Sequence, residues 1–152
     1  GNLVNRVVSM IGRYRDGTVP AGEATWLDEE CESALRRYRD AMDVNLLHNG
    51  AAAALELAVA ANGFVEARAP WSQAKDPAQS DALDATLSSL ARTLIHLATM
   101  LEPFMPSKMA DLAGLFGFDR VPSLAELAAL QLAGRTASKG AILFPKDAPA
   151  RD

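Results

Sequence analysis

This chain of 152 residues is poor in the groups most often used for catalysis: it has one cysteine, two histidines and only 6% aromatic residues. Cys31 allows neither an internal disulfide nor a cysteine-built zinc site, and it sits among Glu29, Glu30 and Glu32, whose charge disfavours a thiolate. An inert thiol in a reducing compartment is expected. His48 and His96 are far apart, and neither has a metal-ligand or nucleophile partner at a recognised spacing. No phosphate-binding glycine loop occurs. Positive charge is also short, 15 Lys and Arg against 19 Asp and Glu, for a net charge of −4. That balance argues against a protein that coats nucleic acid through its phosphates, DNA included, but leaves room for a small local site. The most apolar stretch, Leu46 to Ala69, is interrupted by Glu56, Asn62 and Glu66. No run therefore reaches the roughly 18 uninterrupted apolar residues of a spanning helix, and no membrane partner is expected. With no catalytic residues and no metal ligands to name, the residues point to a helical binding module rather than an enzyme.

What is present is alanine, leucine and helical spacing. The hydrophobic share is 49%, enough for one domain with its own core, and β-branched residues are sparse. The fold expected is all-α, a bundle of about five main helices. The first, Asn2 to Tyr14, has apolar Leu3, Val4, Val7, Val8, Ile11 and Tyr14 on one side and a polar ridge of Asn2, Arg6, Ser9 and Arg13 on the other. Such a ridge is usually only solvated; here it also suits a shared ligand. Thr25, with Asp28 three residues on, caps a second helix whose inner stripe is Leu27, Cys31, Ala34, Leu35, Tyr38 and Met42. After a turn near Val44, the third helix is expected to bury Leu47, Ala51, Leu55, Ala58, Val65 and Ala69. That places Asn62 on the core stripe, where its amide needs a partner and supports the structure around it. The series Leu83, Leu87, Leu90, Leu94, Leu97 and Leu101 marks a fourth helix as a bundle seam. A fifth opens at Pro106 and stops at Gly117, and Ser123 caps a short segment. An extended Ala141 to Pro145 is expected to pack back on the bundle, giving a domain over residues 1–146 and a frayed 147–152.

The chain is organised around residues 62–75. Proline cannot continue a helical ladder, so Pro70 makes Ala69 a natural last helical position and places Trp71 just beyond the helix end, followed by a polar connection. Arg68 and Lys75 flank the ring, which suits a base stacked on the indole with its phosphates near the cations. Residue statistics favour the alternative, a tryptophan buried at the bottom of the bundle.

Four pieces in this order carry a resemblance over nearly the whole chain: Gly1-Asn2-Leu3-Val4-Asn5-Arg6-Val7; Asn62 before Ala69-Pro70-Trp71; Leu101-Glu102-Pro103-Phe104-Met105-Pro106; and Leu143-Phe144-Pro145-Lys146. The chain resembles the C-terminal anticodon-binding domain of methionyl-tRNA synthetase. The resemblance implies that the CAU anticodon of methionine tRNA is the ligand, that Trp71 stacks on an anticodon base, and that Pro70 shapes its turn. It also implies that Asn2 and Arg6 hydrogen-bond base edges, with Asn62 in support; Arg13 on the same ridge and Arg68 and Lys75 beside the ring are further supporting candidates from their positions in the sequence. An amide with both donor and acceptor beside a planar guanidinium fork suits that task.

The family's HIGH-like and KMSKS-like signatures are not in this sequence; Ser107-Lys108-Met109-Ala110-Asp111 is only superficially similar to the second. ATP, and any zinc, would belong to the catalytic part of the parent enzyme, which attaches methionine to tRNA, and this chain alone should be inactive. Its start in helical pattern without methionine suggests a piece of a longer cytoplasmic protein whose catalytic domain is its partner. A monomer is expected. Two alternatives are a free-standing helical protein-interaction module and the corresponding domain of a sister synthetase for cysteine or valine.

Overall fold

A computed structural model describes residues 2–139. Among them the chain is helical, and the one β-type contact is an isolated bridge between Thr18 and Thr136. The extended segment 141–145 and the division at residue 146 lie outside the described residues.

Helix α1 spans Asn2–Arg15 and buries Leu3, Val4, Val7, Val8, Met10 and Ile11. It stops where Asp16 and Gly17 turn left-handed, at φ 54° and 80°, and the Gly17 N–H closes on the Ile11 carbonyl at 3.1 Å. Helix α2 spans Trp26–Asp43. Its start is a capping box: Thr25 Oγ1 accepts from Leu27 N at 3.2 Å, and Thr25 N donates to Asp28 Oδ2 at 2.8 Å.

Helix α3, Leu47–Arg68, fully buries only Val65 of the expected stripe. Its core side is Gly50, Ala53, Ala54, Leu57, Ala61, Phe64 and Val65, while Leu47 and Leu55 are more than half exposed. Asn62 is exposed as well, donating from Nδ2 to the Ala58 carbonyl at 3.1 Å, so it is not a core amide. The reason is that apolar residues surround α3 on nearly every side, so spacing alone cannot choose a face; the bulk of Leu57 and Phe64 does. Small residues set the approach to α2: a Cβ on Gly50 would fall 2.7 Å from Met42 Sδ. With the turn that follows, α3 has the length and hydropathy to cross a membrane. It instead packs its alanine-rich side into the bundle and pairs Glu56 with Arg37 and Glu66 with Arg6 on the other.

The polar connection expected after Pro70 is partly helical. Pro70–Gln73 forms a one-turn helix, α4, and Pro77–Gln79 a 3-10 turn capped by Asp76. Pro70 occupies the first position of α4, where its missing N–H costs nothing.

Helix α5, Ser80–Leu101, runs through the middle. Leu83, Leu87, Leu90, Leu94 and Leu97 are buried as expected, but so are Thr86, Ser88, Ser89, Thr93, His96 and Thr99, because α1, α2, α3 and the helix that follows enclose it. Hydroxyls make this possible: Thr93 Oγ1 donates to Ser89 O at 2.8 Å, and Thr99 Oγ1 to Pro122 O at 2.8 Å. Every buried side-chain nitrogen or oxygen among the described residues has a partner. Helix α6, Pro106–Leu115, buries Met109, Leu112 and Ala113, and a 3-10 turn at Ala125–Ala129 follows.

Candidate functional site

The corner between α3 and α4 shows how the sequence displays a tryptophan without burying it. Ala69 is left-handed, φ 47° and ψ 64°, at a cost of about 1 kcal/mol for a residue with a Cβ. Two ties to α5 hold that geometry. On one side of the corner Arg68 Nε donates to Thr86 Oγ1 at 3.0 Å and Arg68 NH2 to Ala82 O at 3.2 Å. On the other, Thr86 Oγ1 lies 2.9 Å from both Gln73 Oε1 and the Ala82 carbonyl, and its one proton is shared between these two acceptors. One hydroxyl of α5 therefore holds both flanks. Pro70 and Gln73 are buried, and Trp71 between them is left 39% exposed. The ring is neither core nor free. Arg68 braces the corner, its guanidinium over the Phe64 ring at 5.5 Å. Lys75, one turn beyond Trp71, is exposed.

The polar groups on α1 meet α3 along one edge. Asn2 and Asn62 are both exposed on the rim of a hollow of about 450 Å³ whose remaining walls, Leu3, Val4, Leu55 and Met105 among them, are apolar. One turn further along both helices, Arg6 NH2 lies 3.0 Å from Glu66 Oε1. The Arg6–Glu66 pair and the shared hollow set α1 against α3 along this edge, and the next turn of α3 is the Pro70 corner. The structure thus pairs Arg6 with Glu66 and sets Asn2 and Asn62 on one hollow, while Trp71 lies beyond the end of α3. Arg13, two turns past Arg6, is exposed, its guanidinium 6.0 Å from the Tyr14 ring.

Two groups carry no signal in the sequence. Glu66 engages one nitrogen of the Arg6 guanidinium, a pairing that becomes visible only once α1 and α3 lie together. Trp26, at the start of α2, is 44% exposed and stands edge-on to Phe64, centroids 5.0 Å apart at 74°. No residue pattern marks it.

The groups that could do chemistry are held inert. Burial pushes the Cys31 thiol up to about 12, against a pull from Thr93 3.2 Å away; the neighbouring carboxylates add less than burial does. Burial also pushes His96 below its usual value, although Nδ1 lies 2.8 Å from the Arg92 carbonyl. No group of three or more His, Cys, Asp or Glu able to hold a metal occurs among the described residues.

This arrangement of helices superposes on the apo methionyl-tRNA synthetase of Mycobacterium tuberculosis with a TM-score of 0.85 and 24% identity, over 99% of this chain and 32% of that one. The methionyl-adenylate complex of the same synthetase gives 0.83 at 25% identity, over 96% and 30%. The architecture is that of the helical part of an aminoacyl-tRNA synthetase. Residues 15–146 match the family described as the anticodon binding domain of methionyl tRNA ligase, and the chain belongs to that family. It is 34% identical to the methionine-tRNA ligase of Deinococcus radiodurans over 161 residues, covering all of this chain and 23% of that protein. The Bacillus subtilis ligase is 32% identical, over 96% and 23%. The chain thus spans about a quarter of the length of the curated relatives it matches. The family match leaves Asn2 and Arg6 outside it, whereas the similarity to the D. radiodurans ligase includes them.

Proposed function

We propose that the edge carrying Asn2, Arg6, Pro70 and Trp71 reads the CAU anticodon of methionine tRNA, on behalf of a cytoplasmic methionine-tRNA ligase that joins methionine to tRNA with ATP. The observation that carries this reading is the half-exposed indole fixed on a doubly tied corner. A base can stack on it without any rearrangement of the bundle, at a gain of about 1–3 kcal/mol. Asn2 supplies a donor and an acceptor for a base edge. Arg6 supplies a fork of donors once it leaves Glu66, an exchange that costs little because an ion pair this exposed contributes at most about 1 kcal/mol. ATP chemistry belongs to the catalytic part of the ligase, which is the bundle's other partner, and a monomer is expected by sedimentation.

The test compares methionine tRNA with a copy changed only in the anticodon. Preference for CAU supports the reading. Equal binding favours the second one, a protein-interaction module, for which exposed Leu47, Leu55 and Val59 on α3 would provide the surface.

A further inference from the structure

We propose that the apolar hollow at the head of α1 is a seat for about two turns of amphipathic helix, supplied by the ligase's own polypeptide ahead of Asn2 and running in line with α1. The inference rests on the ligase reading above and adds to it a surface through which the bundle joins the rest of that protein. Asn2, Leu3 and Val4 all line the hollow. Consecutive residues of a helix point about 100° apart, and three of them border one space when that space lies off the helix end, not along a side. The hollow therefore continues the axis of α1.

Three other elements wall it with stripes of equal length. On α3 the stripe is Leu55, Ala58 and Asn62, spaced three and four. On α5 it is Leu94, Leu97 and Leu101, with the same spacing. Met105, Met109 and Leu112, entering α6, are spaced four and three. Residues at these steps share one face of a helix, and each stripe is about 10 Å long, the height of two turns. A space walled by three such stripes is the groove into which an amphipathic helix lays side chains three, four and seven residues apart. The floor is buried, while Leu55 on the open wall is 59% exposed and Leu101 and Met105 are half-buried. Among the described residues no charged side chain borders the hollow, and its polar groups are the amides of Asn2 and Asn62. That lining suits leucine-type side chains and offers nothing to a phosphate. Position selects the source. A segment continuing α1 reaches the seat without a linker, which keeps its effective concentration high. Curated relatives, of which this chain spans about a quarter, have the length to supply it. Lys139, the last described residue, stands beside Gly12, half a turn round α1 from Leu3, which favours a segment ahead of Asn2 over one that follows residue 139.

The experiment compares the 152-residue chain with the same chain extended by the stretch of about twelve residues, some three turns of helix, that its own gene encodes ahead of Gly1. The extension is expected to carry large apolar residues three or four, and seven, positions ahead of Leu3. It should raise the thermal midpoint by about 5–15 °C, the scale for burying two large apolar side chains in a domain of this size, and shift the Met105 methyl resonance. Leu55→Gln alters the open wall of the seat, and Val59→Gln alters a 71% exposed residue one turn on that does not line it. In the 152-residue chain the two variants should lie within about 2 °C of each other, as surface changes do. In the extended chain Leu55→Gln alone should remove most of the gain. The seat is overturned if the upstream sequence lacks those apolar residues, or if the extension leaves the midpoint and the Met105 resonance where they were. It is equally overturned if an extension with its apolar positions changed to Gln gives the same gain, which would be helix length and not seating. A 152-residue chain that sediments as a dimer, and returns to a monomer with Leu55→Gln, would also overturn it, since a second copy would then be the occupant. No RNA is present at any stage. Loss of anticodon preference, measured separately, would sink the anticodon reading and leave this result standing.

Discussion

Trp71 keeps 39% of its surface open although Pro70 before it and Gln73 two residues on are buried. A ring held this way contributes little to the core and much to a stacked base. Trp71→Ala should therefore weaken tRNA binding by about 1–3 kcal/mol, measured by titration, while the thermal transition moves by only a few degrees. A large loss of stability with unchanged binding would show the ring to be core. Arg6→Ala should cost binding about 1.5–3 kcal/mol, the range for hydrogen bonds to charged groups, with stability nearly unmoved because its ion pair with Glu66 is exposed. The positions of Trp71 and Arg6 were legible in the sequence, through the proline break and the four-residue ridge. Their environment was not. Whether a tryptophan after a proline is buried depends on Arg68, Thr86 and Gln73, residues from different elements that no local pattern connects.

At the scale of elements the corner depends on α5, not on α3 or α4 alone. Thr86→Val keeps the shape of the side chain but leaves Arg68 Nε and Gln73 Oε1 without their shared partner. It should cost about 1–3 kcal/mol in thermal or denaturant unfolding, and it should weaken tRNA binding although Thr86 touches no RNA. Unchanged binding alongside that loss of stability would mean that the corner is not what presents Trp71. The leucine series of α5 was legible because leucines at alternating four- and three-residue steps have few other uses. The face of α3 was not, because Leu47, Leu55 and Val59 are as apolar as Leu57 and Phe64, and only the packing of α2 and α5 decides which are covered. The same ambiguity put Asn62 on the core stripe by spacing, whereas in the structure it is exposed and lines the same hollow as Asn2.

For the whole molecule, stability should fall with acid in two stages. Burial holds His96 below its ordinary 6.5, so below that pH the unfolded chain takes up a proton that the bundle resists, and stability declines as pH falls towards the folded value. Asp28 follows. Burial raises its carboxyl, but hydrogen bonds from Arg92, Thr25 N–H and Ser89 outweigh that and hold it below its ordinary 3.8. The stability this supplies is complete above 3.8 and lost as pH drops through the folded value. Thermal unfolding followed by circular dichroism from about pH 7.5 to about pH 3 checks both stages: His96→Gln should flatten the first and Asp28→Asn the second. None of these groups belongs to the proposed RNA edge.

The central claim is that a bundle of net charge −4 reads an anticodon by shape and hydrogen bonding. The most direct measurement is the ratio of affinities for methionine tRNA and for a copy changed at a single anticodon base, taken for the unaltered chain and for Trp71→Ala at one salt concentration. The account predicts a clear preference for CAU that Trp71→Ala reduces. A ratio near one in the unaltered chain, or a preference untouched by Trp71→Ala, would contradict it.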